Sequence, residues 1–298
     1  MVRNAEKLYF PVKESILSVL PIVDEFIVAL GDSDANDHTR QLIESIGSDK
    51  IRIYDRQWQE KDFVESRIFA LETNFALQQC KGDWCFYIQA DEVVHEQDLP
   101  KITAACKKHL PDARVDGLLF KYYHFFGDYD HYLPFHGWYK NEIRIIRNHA
   151  GVYSFRDAQS FRKGENQKLN VVEIDAHVYH YGWVRPPHLM QSKKKVHDSI
   201  HHGVSRAEQA YRLLPYEFDY GALGRIPRFQ GTHPAVMADF IKKLNWQQKL
   251  NYARSGNPDR DLMKHEKRKY RLISFLENTF NGGRDFVGYT NWNLIQKA

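Results

Sequence analysis

The chain has 298 residues, 43% of them hydrophobic and 27% charged, with a formal net charge of +4. That length can bury a core large enough for one big α/β domain with an appendage. No apolar run reaches the ~18–20 residues of a membrane span, and no signal peptide reads at the start, so a cytosolic protein is the expectation.

Taken in chain order, Val12, Ile16, Val19, Leu20 and Val23 repeat at helical spacing over 12–23. Phe26 to Leu30 reads as a buried strand, and Gly31 to Thr39 as a polar loop rich in turn formers. A helix over 39–47, a strand at Ile51 to Tyr54, a long helix over about 65–80 and a strand over 84–88 follow. This alternation implies a parallel sheet of βαβ units. A doubly wound domain normally opens with a buried strand, yet Met1-Val2-Arg3-Asn4 leads almost directly into the first helix. Either the first strand lies outside this sequence or the sheet begins differently.

The pattern changes after residue 115. Gly117 to Tyr123, Asn141 to Ile146, Gly151 to Phe155, Val171 to Ile174 and Ala176 to His180 read as strands of a mixed or antiparallel block. From about 186 the chain reads mostly helical, with a Pro/Gly-rich break from Leu214 to Pro234 and a basic helix over roughly 261–278. In that helix Leu272, Ile273, Phe275 and Leu276 adjoin Lys267 to Arg271. It could lie on a membrane surface or pack its apolar face on the rest of the protein. Lys193, Lys194 and Lys195 form a second basic cluster, readable as a phosphate contact or a solvated helix face. Cys80, Cys85 and Cys106 lack metal-ligand spacing and read as buried reduced thiols.

The most informative stretch is Lys81 to Glu92. Cys85 to Ile88 has the composition of a strand covered on both faces. The acidic pair Asp91-Glu92 follows it, where open α/β sheets bind ligands. Two carboxylates there can hold a hard divalent cation, and the cation a diphosphate. They can also simply begin the next helix, where acids are favoured.

The order of three features resembles glycosyltransferase family 2. Arg3-Asn4-Ala5-Glu6-Lys7 is similar to the segment after that family's first strand, and Val23 to Val28 to its second strand. Ser33 to Thr39 is similar to its Gly-Ser-Thr-Asp-Gly-Thr loop, with Asp37 and Thr39 on the matching positions. Ala90-Asp91-Glu92 matches the end of its Asp-X-Asp-Glu motif. The Trp138…Arg144…Arg147 block and His177…His180-Tyr181 are similar to bacterial members that decorate lipopolysaccharide cores and capsules. The resemblance covers about 1–185. It implies a GT-A (nucleotide-diphospho-sugar transferase) fold: a Rossmann-like α/β mixed sheet flanked by helices, its first strand truncated. The expected division is a catalytic domain over 1–185, with a nucleotide-binding half (1–115) and an acceptor half (116–185), then a helical extension over 186–298.

The resemblance further implies an inverting, metal-assisted transfer of a sugar, of hexosyl type, from a nucleotide-diphosphate donor to a glycan or lipid-linked acceptor, with Mg²⁺ or Mn²⁺ as cofactor. Asn4, Asp32, Asp37, Gln89, Ala90, Asp91 and Arg144 would face the nucleotide sugar, with Asp34 as an alternative to Asp37. Asp37 can equally cap its own loop. Asp91, Glu92 and His180 would hold the metal, and Asp157 would be the general base. Arg144 and Arg147, flanking Ile145, are expected on one strand face. His177 and His180, three apart on a strand, point to opposite faces and are not expected to share a metal. Contacts to the acceptor are assigned to Trp183, Arg185 and Lys193. One departure stands out: Gln89 replaces the usual first aspartate and brings no charge. It leaves a second reading open, a catalytically degenerate carbohydrate-binding or scaffold protein. A nucleotidyltransferase or a methyltransferase would need a Gly-rich loop near the start that is absent. Nucleic-acid binding would rest on the basic clusters alone and is not expected.

Overall fold

The computed structural model describes residues 1–298 apart from 64–65, 258, 284, 287–288 and 297–298. Its first half alternates: α1 (Val12–Val19), β1 (Phe26–Gly31), α2 (Thr39–Glu44), β2 (Ile51–Arg56), α3 (Arg67–Gln79), β3 (Trp84–Phe86), β4 (Glu92–Val94) and α4 (Leu99–His109). Strands β5 (Gly117–Phe126), β6 (Asn141–Arg147), β7 (Val152–Phe155), β8 (Ser160–Lys163) and β9 (Gln167–Trp183) follow. The remainder holds α5 (Pro187–His202), α6 (Val204–Tyr211), α7 (Ala238–Ile241), α8 (Arg268–Phe280) and β10 (Trp292–Gln296).

The result is a mixed sheet flanked by helices, as expected. Its larger part runs β3-β6-β5-β9-β8-β7, with β4 and β10 also paired to β9. The long β9 is the spine, parallel to β5 and antiparallel to β4. The apolar residues of α1 fall at one-turn intervals, so Val12 and Ile16 bury against Val28 and Leu30 of β1.

Three expectations need correction. The first half is not one parallel sheet: β1 pairs only with β2 among the named strands, while β3 joins β6 in antiparallel fashion. The strands expected at 171–174 and 176–180 are one strand, β9, whose pairing with β5 shifts register between Glu173 and His177; there Asp175 turns outward and takes ion pairs from Lys101 and Lys121. The chain end adds a strand, β10, where helix was expected. The long helix is present as α3; its expected start at 65 lies outside the described residues.

The face α8 turns inward is polar. Glu277 is fully buried and accepts from Lys140 at 3.0 Å, and Lys140 also pairs with Asp285 at 2.9 Å. Leu272, Phe275 and Phe280 are 61–72% exposed, so the apolar face does not pack on the rest of the protein. The ion pairs anchor the helix the other way round.

Histidines are deep in this core. His265 is 1% exposed and stacks on Phe135, and burial brings it down to about 4, against 6.5 when free. Burial lowers His124 to about 4 as well. Both bind protons more readily unfolded, so their contribution is full above pH 6.5 and is lost as the pH falls towards 4. Urea midpoints at pH 7.5 and pH 5 should differ by on the order of 2 kcal/mol or more in stability. Equal midpoints would show that the two rings are hydrated.

Candidate active site

Between β3 and β4 the chain turns: the Glu92 amide donates to the Gln89 carbonyl at 3.0 Å. This turn presents Asp91, whose carbonyl is pinned by the Tyr181 amide at 2.8 Å. The Asp91 carboxylate is 6% exposed and meets three basic groups. Lys193 Nζ of α5 donates to Oδ2 at 3.3 Å, His180 Nε2 of β9 lies 3.7 Å from the same oxygen, and Arg185 adds its charge from nearby. Burial alone would raise this carboxyl, but the charges, led by that of Lys193, outweigh it and hold it at about 2. Burial pushes His180 well below its ordinary value, so the ring is neutral at pH 7 and Lys193 and Arg185 carry the effect. The Lys193 amine is itself brought down to about 8, by burial first and then by Arg185.

Backbone carbonyls tie these cations in place. Gly182 C=O accepts from Lys193 at 2.7 Å and from Arg185 at 3.1 Å. Arg185 also donates to Leu8 C=O at 2.6 Å, and its Nε has no partner. Phe10 lies under both cations. The strand end of β9, the start of α5 and the N-terminal segment thus meet at Asp91. Gly182 is required there: a Cβ would come within 2.6 Å of Asp91 Oδ2 and 2.5 Å of His180 Nε2.

Glu92 and Arg144 pair with each other. Glu92 is fully buried and takes a fork from Arg144, Nε to Oε2 at 2.9 Å and Nη2 to Oε1 at 2.6 Å, plus the Tyr122 hydroxyl at 2.8 Å. The two charges are thus matched in a buried site. Arg147 does not share Arg144's face, since residues three apart on a strand point oppositely. It lies over Trp84 and donates to carbonyls at the end of α4, including His109 and Asp112 at 3.0 Å. His177 is turned away from His180, its amide donating to Asp98.

Asp37 is held by backbone amides. Its two oxygens accept from the amides of Lys7 at 2.9 Å and Thr39 at 3.0 Å, so it stitches the N-terminal segment to its loop. Asp34 pairs with Lys7 at 2.6 Å. Asn4 accepts from the Asp34 amide, and Asp32 from the Trp58 amide at 3.0 Å; Asp32 is largely exposed. Gln89 donates to the Tyr87 hydroxyl at 3.2 Å, and Ala90 is half-buried beside it. Asp157 is half-buried, and its charge is felt at Glu142 and at His197 of α5.

Some site groups were not read from the sequence. His124 faces His180, ring nitrogens 2.9 Å apart, and its other nitrogen meets Tyr139 C=O at 2.6 Å. Glu142 is buried with Oε2 unpartnered; burial lifts it to about 8, so it holds a proton at neutral pH. Lys193 and Arg185 were expected at the acceptor, not at Asp91. Strand register brings His124 opposite His180, and the start of α5 brings Lys193 to Asp91.

Residues 11–166 match the family model for glycosyl transferase family 2. The chain belongs to this family. The matched span includes Asp91, Arg144 and Asp157 but stops before His180 and Lys193. Among solved structures, S. aureus TarS is 14% identical, with a TM-score of 0.38 over 70% of this chain and 40% of that one. A TarS 1–349 structure in complex with UDP is 14% identical, TM-score 0.37, over 70% and 67%. The chain spans well under half of the longer TarS chain. No curated protein matches it.

A divalent ion would find one ionised carboxylate and one neutral imidazole at Asp91 and His180. That thin donor set suits a cation taking its other ligands from water and diphosphate. His136, Glu277 and Asp285 also converge, with Lys140 paired to both acids.

Proposed function

We propose that the protein is an inverting glycosyltransferase, hexosyl in type, moving a sugar from a nucleotide-diphosphate donor to a hydroxyl of a cell-envelope glycan or lipid-linked acceptor. The observation that carries this is Asp91: a buried carboxylate kept ionised at the turn after β3, with Lys193 in contact. Mg²⁺ or Mn²⁺, held through Asp91 and His180, would supply charge for the departing diphosphate. Lys193 and Arg185 add positive charge on the same side. Asp157 takes the acceptor proton, and its half-exposed position leaves it open to an incoming hydroxyl. Residues 1–185 serve as the catalytic unit and 186–298 as an extension that supplies Lys193.

Asp157→Asn should bind donor normally and lose transfer by roughly 100-fold or more. Retained turnover would place the base elsewhere. Donor class is found by thermal shift with UDP, GDP, dTDP and CMP, with and without Mn²⁺. A metal-dependent rise with one nucleotide supports the reading. No rise with any favours the degenerate binding module that Gln89 leaves open.

The exposed Leu272, Phe275 and Phe280, with Lys267 to Arg271 alongside, support peripheral contact with an anionic membrane. Among the described residues no helix is long and apolar enough to cross one.

A further inference from the structure

Helix α5 carries two histidines that the transfer chemistry does not use. His197 and His201 are four residues apart, so both stand on one face of the helix. Their Nε2 atoms approach to 3.2 Å. Zinc bonds imidazole nitrogen at about 2.0–2.1 Å, and two such bonds at a tetrahedral angle hold their nitrogens about 3.3 Å apart. The separation of this pair is therefore already that of a chelate. Two neutral imidazoles can also share one proton at such a distance, one ring donating and the other accepting; a metal takes the lone pair of both.

The surroundings hold the pair in that pose and favour a cation. The His197 ring lies against Phe69 of α3, centroids 6.4 Å apart and planes at 25°. Its Nδ1 lies 3.9 Å from Oδ1 of Asp198, and Asp198 is itself fixed by the Tyr211 hydroxyl of α6 at 2.7 Å. A carboxylate on the Nδ1 side of a histidine orients the ring and leaves the Nε2 lone pair for a metal. The charge of Asp157 is also felt at His197. Lys193, one turn earlier on the same face, repels a cation, but its charge is matched by Asp91. The His197 side chain is 54% exposed, so an ion can enter and keep water as its remaining ligands.

We propose that His197 and His201 bind one divalent transition ion of the zinc class, which staples the last turns of α5. Imidazole suits zinc, copper and nickel, whereas magnesium and manganese are harder ions that seek oxygen. The site therefore differs in chemistry from Asp91, which offers a carboxylate oxygen, and it does not depend on the reaction proposed above. Residues 193, 197 and 201 share one face of α5, so the ion braces the helix that presents Lys193 to Asp91.

The test is calorimetric titration of Zn²⁺ into the whole chain at neutral pH with Mg²⁺ in excess, so that oxygen sites are already served. His197→Ala and His201→Ala should each weaken the binding of one Zn²⁺ by roughly tenfold or more. Asp91→Asn and His136→Gln, which alter the other two groups of metal-binding side chains, should leave it unchanged. Zinc should also slow amide exchange over 199–203 in the native protein and not in His201→Ala. Melting curves without zinc, expected to agree within a few degrees, show that the variants are folded. Equal affinity in the native protein and both histidine variants would mean an adventitious ion only and would overturn the proposal. Loss of binding in Asp91→Asn alone would assign the zinc to the transfer site, and loss in His136→Gln alone to the cluster on α8; either would overturn it too.

Discussion

Asp91→Asn abolishes sugar transfer, lowering kcat by roughly 1,000-fold or more, while the melting temperature moves by only a few degrees. The amide keeps the size of the carboxylate, and the backbone bond from Tyr181 is unaffected. What is lost is the negative charge that Lys193, His180 and Arg185 surround. Breaking a buried ion pair usually leaves a costly lone charge, but Lys193 already sits at about 8 and sheds its proton readily once Asp91 is neutral. Stability is therefore spared while the site loses its only ionised oxygen in contact with Lys193. The check is steady-state transfer alongside a melting curve. Activity above a tenth of the native value would remove Asp91 from the chemistry.

Arg144→Met should cost about 3–5 kcal/mol of stability, the largest loss expected from any single change here. Glu92 would remain fully buried with only the Tyr122 hydroxyl and the Gln89 amide to meet its charge. Replacing both partners, Glu92→Leu with Arg144→Met, should restore much of the loss, since removing a matched buried pair is far cheaper than halving it. Urea unfolding of the two single variants and the double variant measures the coupling. If Arg144→Met were as stable as the native protein and changed only KM for donor, the arginine would belong to the substrate site after all.

Much of the fold is readable in the sequence because it depends on local periodicity. The apolar spacing of 12–23 and the blocks at 26–30, 117–123 and 141–146 fall on α1, β1, β5 and β6. Position in the chain also located Asp91 at the end of the β3 segment. The partners of each polar group are another matter, because they are set by register between strands far apart. Glu92 lies opposite His180 on β9, and His124 lies opposite the same residue from the other side. No spacing in the chain announces that convergence, or that Arg144 would reach Glu92. Asp37 is a loop aspartate in sequence whether it binds a ligand or its own backbone; only the amides of Lys7 and Thr39 decide it. β10 was missed because Trp292 to Gln296 is short and gains its order from pairing with β9 rather than from its own pattern.

That last strand bears on how the protein is made. β10 lies in parallel along Leu169 to Val172, and Arg162 donates to the backbone and side chain of Asn291 next to it. During synthesis, β9 leaves the ribosome long before residue 292 exists. At roughly 5–20 residues per second the spine strand waits several seconds with that stretch of its edge unpaired. Unpaired edges are where nascent chains stick to one another, so the yield of folded protein should depend on how fast the final third is translated.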